Sequence, residues 1–299
     1  MTAASVSILI PFLAAGTGIA LFTLMDAVMK GLSLAIGAYC AMLWRTTAGL
    51  GTTGVVMLTR RFVWPGRAAL LLHLQRGTVN AFSAIGYFFG LTRLPMGEAI
   101  ALSFIAPLVA LYCAAMLLNE RVGSRAIVAS LLSLAGVILL VSSRIAGQYD
   151  GRAVAGGAAI LAAAAVYGYG LVLLRRQAQL ASPTELAFFQ NAATFLWLLP
   201  AAPFLAPLPA ATHWPWLVFG AILAQASMML LGWAYARAEA PALIPVEYTG
   251  FLWSVLFGAL FFGERLTAVV AAGAALIVAG CFVAARAGRA PPLAAEVAL

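Results

Sequence analysis

Apolar runs of about twenty residues follow one another along most of this 299-residue chain, and they limit its fold more than any other feature. Apolar residues make up 64% of the sequence and charged residues 9%, whereas a soluble domain averages roughly 45–50% and about 25%. So few charges cannot cover a globular surface. Because a bilayer span needs about 20 apolar residues, the sequence predicts an all-α integral membrane protein.

The boundaries of these runs predict ten transmembrane helices joined by short connections. The predicted helices are 6–29, 35–58, 69–91, 95–118, 124–142, 153–175, 184–205, 214–236, 241–262 and 267–286. No connection is long enough to hold a soluble domain. The first run lacks a basic region and continues to Val28, so we interpret it as a span and not as a signal peptide.

The net charge of +8 comes almost entirely from arginine. With the N-terminus in the cytoplasm, ten cations fall on the cytoplasmic side and five on the outer side. This bias predicts a multi-pass protein of the cytoplasmic (inner) membrane with both termini in the cytoplasm. Because membrane topology accounts for the positive net charge, we do not expect nucleic acid as a partner.

Two segments of the chain repeat one another. "SFIAPLVALYCAAMLLNERV" (103–122) and "EYTGFLWSVLFGALFFGERL" (247–266) are both apolar spans that end in Glu-Arg, at an offset of 144. The chain therefore divides into five-helix repeats, 1–146 and 147–299, within one transmembrane domain. Because five is odd, the repeats have opposite orientation, which is typical of transporters that open alternately to either side of a midplane site.

These duplicated endings resemble the EamA-type drug/metabolite transporter superfamily over nearly the whole chain. The resemblance implies ten helices, inverted repeats and a central cavity. In length and pattern the sequence is most similar to the YddG-type exporters of aromatic and other neutral amino acids within that superfamily.

A polar stripe on the third span predicts one wall of the cavity. His73, Arg76, Asn80, Ser83 and Tyr87 are spaced three, four, three and four residues apart, which places them on one helix face. Alternatively, the first two lie at the membrane surface and face headgroups. The other three lie too deep for that explanation.

Glu247 lies inside an apolar run, two residues after Pro245, with no basic residue within four positions. The proline predicts a break in the helix, and broken helices are common at transporter sites. By the repeat, Ser103 and Phe104 approach the same region from the other half. We expect Glu247 to bind cargo, to carry a proton, or to balance a buried cation such as Arg76; Pro107 and Pro245 are the predicted gate positions.

Other ionisable residues leave alternatives open. Asp26 and Lys30 have the spacing of an ion pair on one helix. The alternative is an ion pair between Asp26 and Arg45 on adjacent helices. Glu98 either faces cargo or favours the start of its helix beside Pro95. Glu264 is expected to pair locally at the surface.

The candidate substrate-binding residues are polar or aromatic and lie at membrane depth. They are Asn80, Ser83, Tyr87, Glu98, Ser103, Phe104, Tyr167, Gln225, Trp233, Glu247 and Tyr248. No catalytic arrangement, metal-ligand spacing or cofactor motif occurs in the sequence, so we expect no enzyme, no metal and no cofactor. The expected partners are a small-molecule substrate and membrane lipid, and a monomer is favoured over a homodimer.

The predicted function is export of small neutral, aromatic amino acids by alternating access. A carboxylate would hold the ammonium, Asn and Arg would hold the carboxylate, and aromatic rings would contact the side chain. Efflux of cationic or lipophilic drugs or metabolites is the alternative.

Overall fold

The computed structural model describes residues 9–59, 64–118, 151–238, 246–247 and 249–264, with isolated further positions at 124–139, 243 and 268–279. This described part is all-helical and contains no strand. Its helices are α1 Leu9–Ile36, α2 Ala38–Thr59, α3 Arg67–Leu91, α4 Met96–Ser103, α5 Ile105–Leu118, α6 Gly151–Ala178, α7 Pro183–Leu198, α8 Trp214–Arg237 and α9 Thr249–Phe262.

Four helical stretches are long and apolar enough to cross a bilayer: 9–36, 151–178, 183–205 and 211–237. Helices α2 and α3 have sufficient length but are more polar, because groups such as Arg45, Arg76 and Asn80 interrupt them. Helix α9 is shorter, at 14 residues. The structure describes the fifth and tenth predicted spans only at isolated positions, so the number ten stays a prediction.

Two predicted spans are interrupted, one in each half of the chain. The span 95–118 breaks at Phe104, between α4 and α5, and the span 241–262 has a short 3-10 turn at Val246–Glu247 before α9 begins. These breaks fall where the repeat offset pairs Ser103 with Glu247. Pro245 and Tyr248 lie outside the described residues, as does the side chain of Pro107.

Small residues bring the central helices close together. A Cβ added to Gly77 would lie 2.1 Å from Ala193 Cβ on α7, and one added to Gly90 would lie 2.6 Å from the Gly156 carbonyl oxygen on α6. Close backbone approach at glycine and alanine is the usual packing of helices in membranes.

Glycine contacts also show the direction of neighbouring helices. The first half of α3 lies beside the end of α6, because Arg76 contacts Gln177, while Gly90 near the end of α3 lies beside Gly156 near the start of α6. Helices α3 and α6 are therefore antiparallel. Gly18 contacts Leu231 and Gly220 contacts Val28, so α1 and α8 are antiparallel as well.

Contacts between the two halves are reciprocal. Helix α1 packs on α8 and on α9, while α6 packs on α3 and on α5. Helix α2 contacts α7. In addition, α2 contacts α8, and α7 contacts α3. Because α1, α2, α3, α6, α7 and α8 each present polar side chains to the centre, the packing encloses a polar region.

Candidate functional site

A cavity of about 190 Å³ lies between the helices of both halves. It is lined by residues of α1 to α9 and of the turns before α5 and α9. Its ionisable residues are Asp26, Arg45, Arg76 and Glu247, with the phenols Tyr87 and Tyr167. Its apolar wall includes Phe22, Phe88, Phe104 and Met228.

Eight of the eleven candidate residues line this cavity. They are Asn80, Ser83, Tyr87, Ser103, Phe104, Tyr167, Gln225 and Glu247. Glu98, in the first turn of α4, and Trp233, whose ring stacks on the Arg237 guanidinium at 4.1 Å, are not among the lining residues. Tyr248 lies outside the described residues.

Asp26 and Arg45 form a charged group towards the C-terminal end of α1. The Tyr87 hydroxyl donates to Asp26 Oδ2 at 3.1 Å, and Asp26 and Arg45 interact electrostatically. Asp26 Oδ1 and Arg45 Nε have no hydrogen-bond partner among the described residues. The alternative of an Asp26–Lys30 pair on one helix is wrong, because Lys30 pairs with the carboxylate of Glu264.

Arg76 and Glu247 form a second charged group at the other end of the cavity. Arg76 donates to Gln177 Oε1 at 3.1 Å and contacts Met228 Sδ at 3.4 Å. The phenol of Tyr167 is in electrostatic contact with both, and also with Asp26. No ion pair joins Arg76 and Glu247 in the described part of the chain, and Glu247 Oε1 has no hydrogen-bond partner there.

Side-chain amides occupy the middle of the cavity. Asn80 Nδ2 donates to Gln190 Oε1 at 2.6 Å, and the Thr52 hydroxyl donates to Gln225 Oε1 at 3.0 Å. Asn80 Oδ1 and Gln225 Nε2 lack partners among the described residues and remain able to bind a polar cargo.

Sequence reasoning overlooked the contribution of α7 to this polar middle. Gln190, Asn191 and Thr194 all line the cavity. They form a polar cluster within the apolar run "FFQNAATF" (188–195) at the spacing of one helix face. The criterion that identified the stripe on α3 would have identified this one too.

A cluster of three chain segments lies near the C-terminal end of α1. Lys30 Nζ pairs with Glu264 Oε1 at 2.7 Å and donates to the Leu94 carbonyl at 3.1 Å. The Met96 N–H, at the start of α4, donates to the same carboxylate. Gly263, at φ 62°, permits the turn that brings Glu264 back. Glu264 thus has a partner 234 positions away in the chain, while Arg265, the neighbour with which a local pair was expected, lies outside the described residues.

A second cluster lies at the opposite end, below Arg76. His73 Nε2 lies 2.9 Å from Glu185 Oε1, and Gln177 Nε2 lies 2.8 Å from His73 Nδ1. The imidazole stacks on Phe189, with ring centroids 4.4 Å apart. His73 and Arg76 are 2% and 3% exposed, so the alternative that they face headgroups is wrong. Both contact protein groups.

A model of the EamA-like transporter family matches this chain twice, over residues 8–142 and 154–286. The chain belongs to the EamA-like transporter family. The predicted superfamily is thus confirmed, and this EamA-like protein is a membrane transporter and not an enzyme. Among the described residues no group of three or more His, Cys, Asp or Glu is placed to hold a metal.

Curated relatives of this EamA-like chain are named for different cargoes. It is 26% identical to a pseudopaline exporter of Pseudomonas aeruginosa over 274 residues, which is 89% of this chain and 92% of the relative. It is 27% identical to a riboflavin transporter of Brucella anthropi over 216 residues, or 69% of this chain and 73% of the relative. A crystal structure with 22% identity matches 93% of the chain at a TM-score of 0.70 and shows the fold.

Proposed function

We propose that this transporter exports small zwitterionic amino acids, with aromatic ones preferred, across the cytoplasmic membrane. The observation that carries the proposal is the coexistence, in one cavity, of carboxylate, guanidinium and aromatic groups. Asp26 or Glu247 would bind an ammonium, and Arg45 or Arg76 a carboxylate. Phe22, Phe88 and Phe104 supply rings for an aromatic side chain.

The cost of burying charge supports a role for these residues. A charged side chain at the bilayer centre costs at least about 2.5–3.5 kcal/mol on insertion scales, so such groups face cavities and usually have a function. Asp26 is 2% exposed, Arg45 9% and Arg76 3%, and each has a polar atom without a partner among the described residues. A zwitterion satisfies both signs of charge at once.

The proposed mechanism is alternating access by two inverted five-helix halves, residues 1–146 and 147–299. The double family match supports two related halves. The antiparallel pairs α1–α8 and α3–α6, together with the reciprocal contacts of α9 and α5, support their opposite orientation. The Lys30–Glu264 and His73–Glu185 clusters then close opposite ends of the pathway.

The proposed orientation places both termini in the cytoplasm, on the basis of the cation bias of the loops. In that orientation the Lys30–Glu264 cluster faces outward and the His73–Glu185 cluster faces inward. We propose a monomer as the transporting unit, because one chain contributes residues from every side of the cavity.

Efflux of cationic or lipophilic compounds is the second candidate. The two cavity carboxylates, beside aromatic rings, would suit an organic cation. The two buried guanidinium groups would repel such a cargo, and this favours the zwitterion. The relatives do not decide between the candidates, since their names refer to different cargoes.

Transport into proteoliposomes tests the proposal. Purified protein is reconstituted, and uptake of labelled phenylalanine and of labelled tetraphenylphosphonium is compared, with and without a pH gradient. Liposomes without protein are the control. We expect saturable phenylalanine uptake that excess unlabelled tryptophan inhibits. Uptake of the organic cation without phenylalanine would refute the amino-acid assignment in favour of drug efflux.

A further inference from the structure

The charged groups of the cavity are divided into two sets, each with one carboxylate and one guanidinium. Asp26 and Arg45 form the first set, which we call the upper end. Glu247 and Arg76 form the second, the lower end, and the Tyr167 phenol is in electrostatic contact with both. A cavity for a single amino acid needs only one such set.

Contacts with α8 measure the separation of the two ends. Arg45 Cδ lies 3.7 Å from the position of a Cβ on Gly220, and Arg76 contacts Met228. Gly220 and Met228 are eight residues apart on one helix, so these two contacts are separated by about 12 Å at a rise of ~1.5 Å per residue.

Contacts with α1 give an independent measure of the same separation. Val246, the neighbour of Glu247, packs at 3.8 Å against the position of a Cβ on Gly16. Asp26 lies ten residues further along α1, or about 15 Å. Both helices therefore place the two charge sets at clearly different heights in the bundle, within reach of one elongated molecule.

Polar atoms without partners remain at both ends. Asp26 Oδ1 and Arg45 Nε lack partners at the upper end, and Arg76 Nε and Glu247 Oε1 at the lower, within the described part of the chain. Asp26, Arg45 and Arg76 are each at least nine-tenths buried. Each set therefore keeps polar atoms that no described residue binds, and these atoms can accept a ligand group.

We propose that the cavity binds cargo with an amino-acid head group at each end, that is, diamino dicarboxylic acids. One α-ammonium and one α-carboxylate bind at Asp26 and Arg45, and the second pair binds at Glu247 and Arg76. The amides of Asn80 and Gln225 lie beside the linker between the head groups. This inference rests on the proposed amino-acid transport and names the class of substrate that fills the whole site.

A series of matched ligands tests the proposal on the intact protein. Meso-diaminopimelate carries two head groups, norleucine carries one, and lysine and α-aminoadipate each lack one charge of the second. Each compound competes against labelled phenylalanine in proteoliposomes, and each is also tested for thermal stabilisation of the purified protein. We expect diaminopimelate to compete at concentrations at least ten-fold lower than norleucine, with lysine and α-aminoadipate between them.

Two double variants locate the head groups. Asp26→Asn with Arg45→Gln removes the upper set, and Glu247→Gln with Arg76→Gln removes the lower set. We expect the preference for diaminopimelate over norleucine to fall to about one in either variant. Arg237→Gln, which removes an exposed guanidinium, is the matched control and should keep the preference.

The outcomes separate this inference from the proposed function. If phenylalanine is transported but diaminopimelate competes no better than norleucine, the two-ended site is wrong and amino-acid transport stands. If neither phenylalanine nor diaminopimelate binds or is transported, both the two-ended site and the proposed amino-acid transport are refuted. Should a double variant not fold, the comparison of ligands on the unaltered protein still decides.

Discussion

Lys30 Nζ lies 2.7 Å from Glu264 Oε1, so an ion pair joins the C-terminal part of α1 to the residue that follows α9 by two positions. The same carboxylate accepts the N–H of Met96 at the first residue of α4. An acid at a helix N-terminus is further stabilised by the helix dipole. One carboxylate thus connects segments from both halves of the chain at one end of the cavity.

Removing the charge of Glu264 should destabilise the packing of helices at the Lys30–Glu264 end of the cavity. We expect Glu264→Gln to lower the apparent melting temperature of the purified protein by several degrees, because Lys30, whose side chain is 8% exposed, loses its counter-charge. A double-mutant cycle with Lys30→Met measures the coupling, for which contacting residues typically give about 0.5–3 kcal/mol. Additive effects of the two substitutions would contradict a direct interaction.

The His73–Glu185 cluster should control access from the opposite end. In a variant without native cysteines, a single cysteine replacing Met228 reports accessibility to a membrane-impermeant thiol reagent. We expect Glu185→Gln to increase its labelling rate several-fold, because the contact of α7 with His73 and, through His73, with Gln177 weakens. Gln179→Ala, a surface substitution on the same side, is the control. An unchanged labelling rate would show that the cluster does not limit access.

Gly77 should tolerate no side chain. A Cβ at this position would lie 2.1 Å from Ala193 Cβ, so α3 and α7 would have to separate, and overpacking of this kind costs about 1–3 kcal/mol. Gly77→Ala should therefore lower the apparent melting temperature. Gly54→Ala, in α2 with nothing within 4 Å, should be neutral or slightly stabilising. Equal effects would count against close packing of α3 on α7.

Glu247 should be needed for transport but not for folding. We expect Glu247→Gln to reduce phenylalanine transport in proteoliposomes at least ten-fold, while size-exclusion chromatography shows an unchanged monodisperse protein. The reason is that its carboxylate faces the cavity without an ion-pair partner among the described residues. Glu247→Asp, which keeps the charge, should retain part of the activity. Normal transport by Glu247→Gln would remove Glu247 from the proposed site.

The helical membrane class and the polar wall on α3 could be predicted from sequence, because both depend on local patterns. Apolar runs reflect the thickness of the bilayer, and the spacing of Asn80, Ser83 and Tyr87 reflects the helical period. The interruption of the predicted span at Glu247 could also be predicted, since Pro245 precedes it. The ion-pair partners of individual charged residues could not be predicted, because the pattern along one helix does not specify which other helix packs against it.

The sequence by itself determined that this chain is a helical membrane protein of the EamA-like family, which it matches over both 8–142 and 154–286, with ionisable residues at membrane depth. Only the tertiary structure decided that Lys30 pairs with Glu264 and not with Asp26, that α7 contributes Gln190 and Asn191 to the cavity, and that Glu98 and Trp233 lie away from its lining. The physical reason is that ion pairs and cavity walls form between residues far apart in the chain, whose distances depend on helix packing and not on local periodicity.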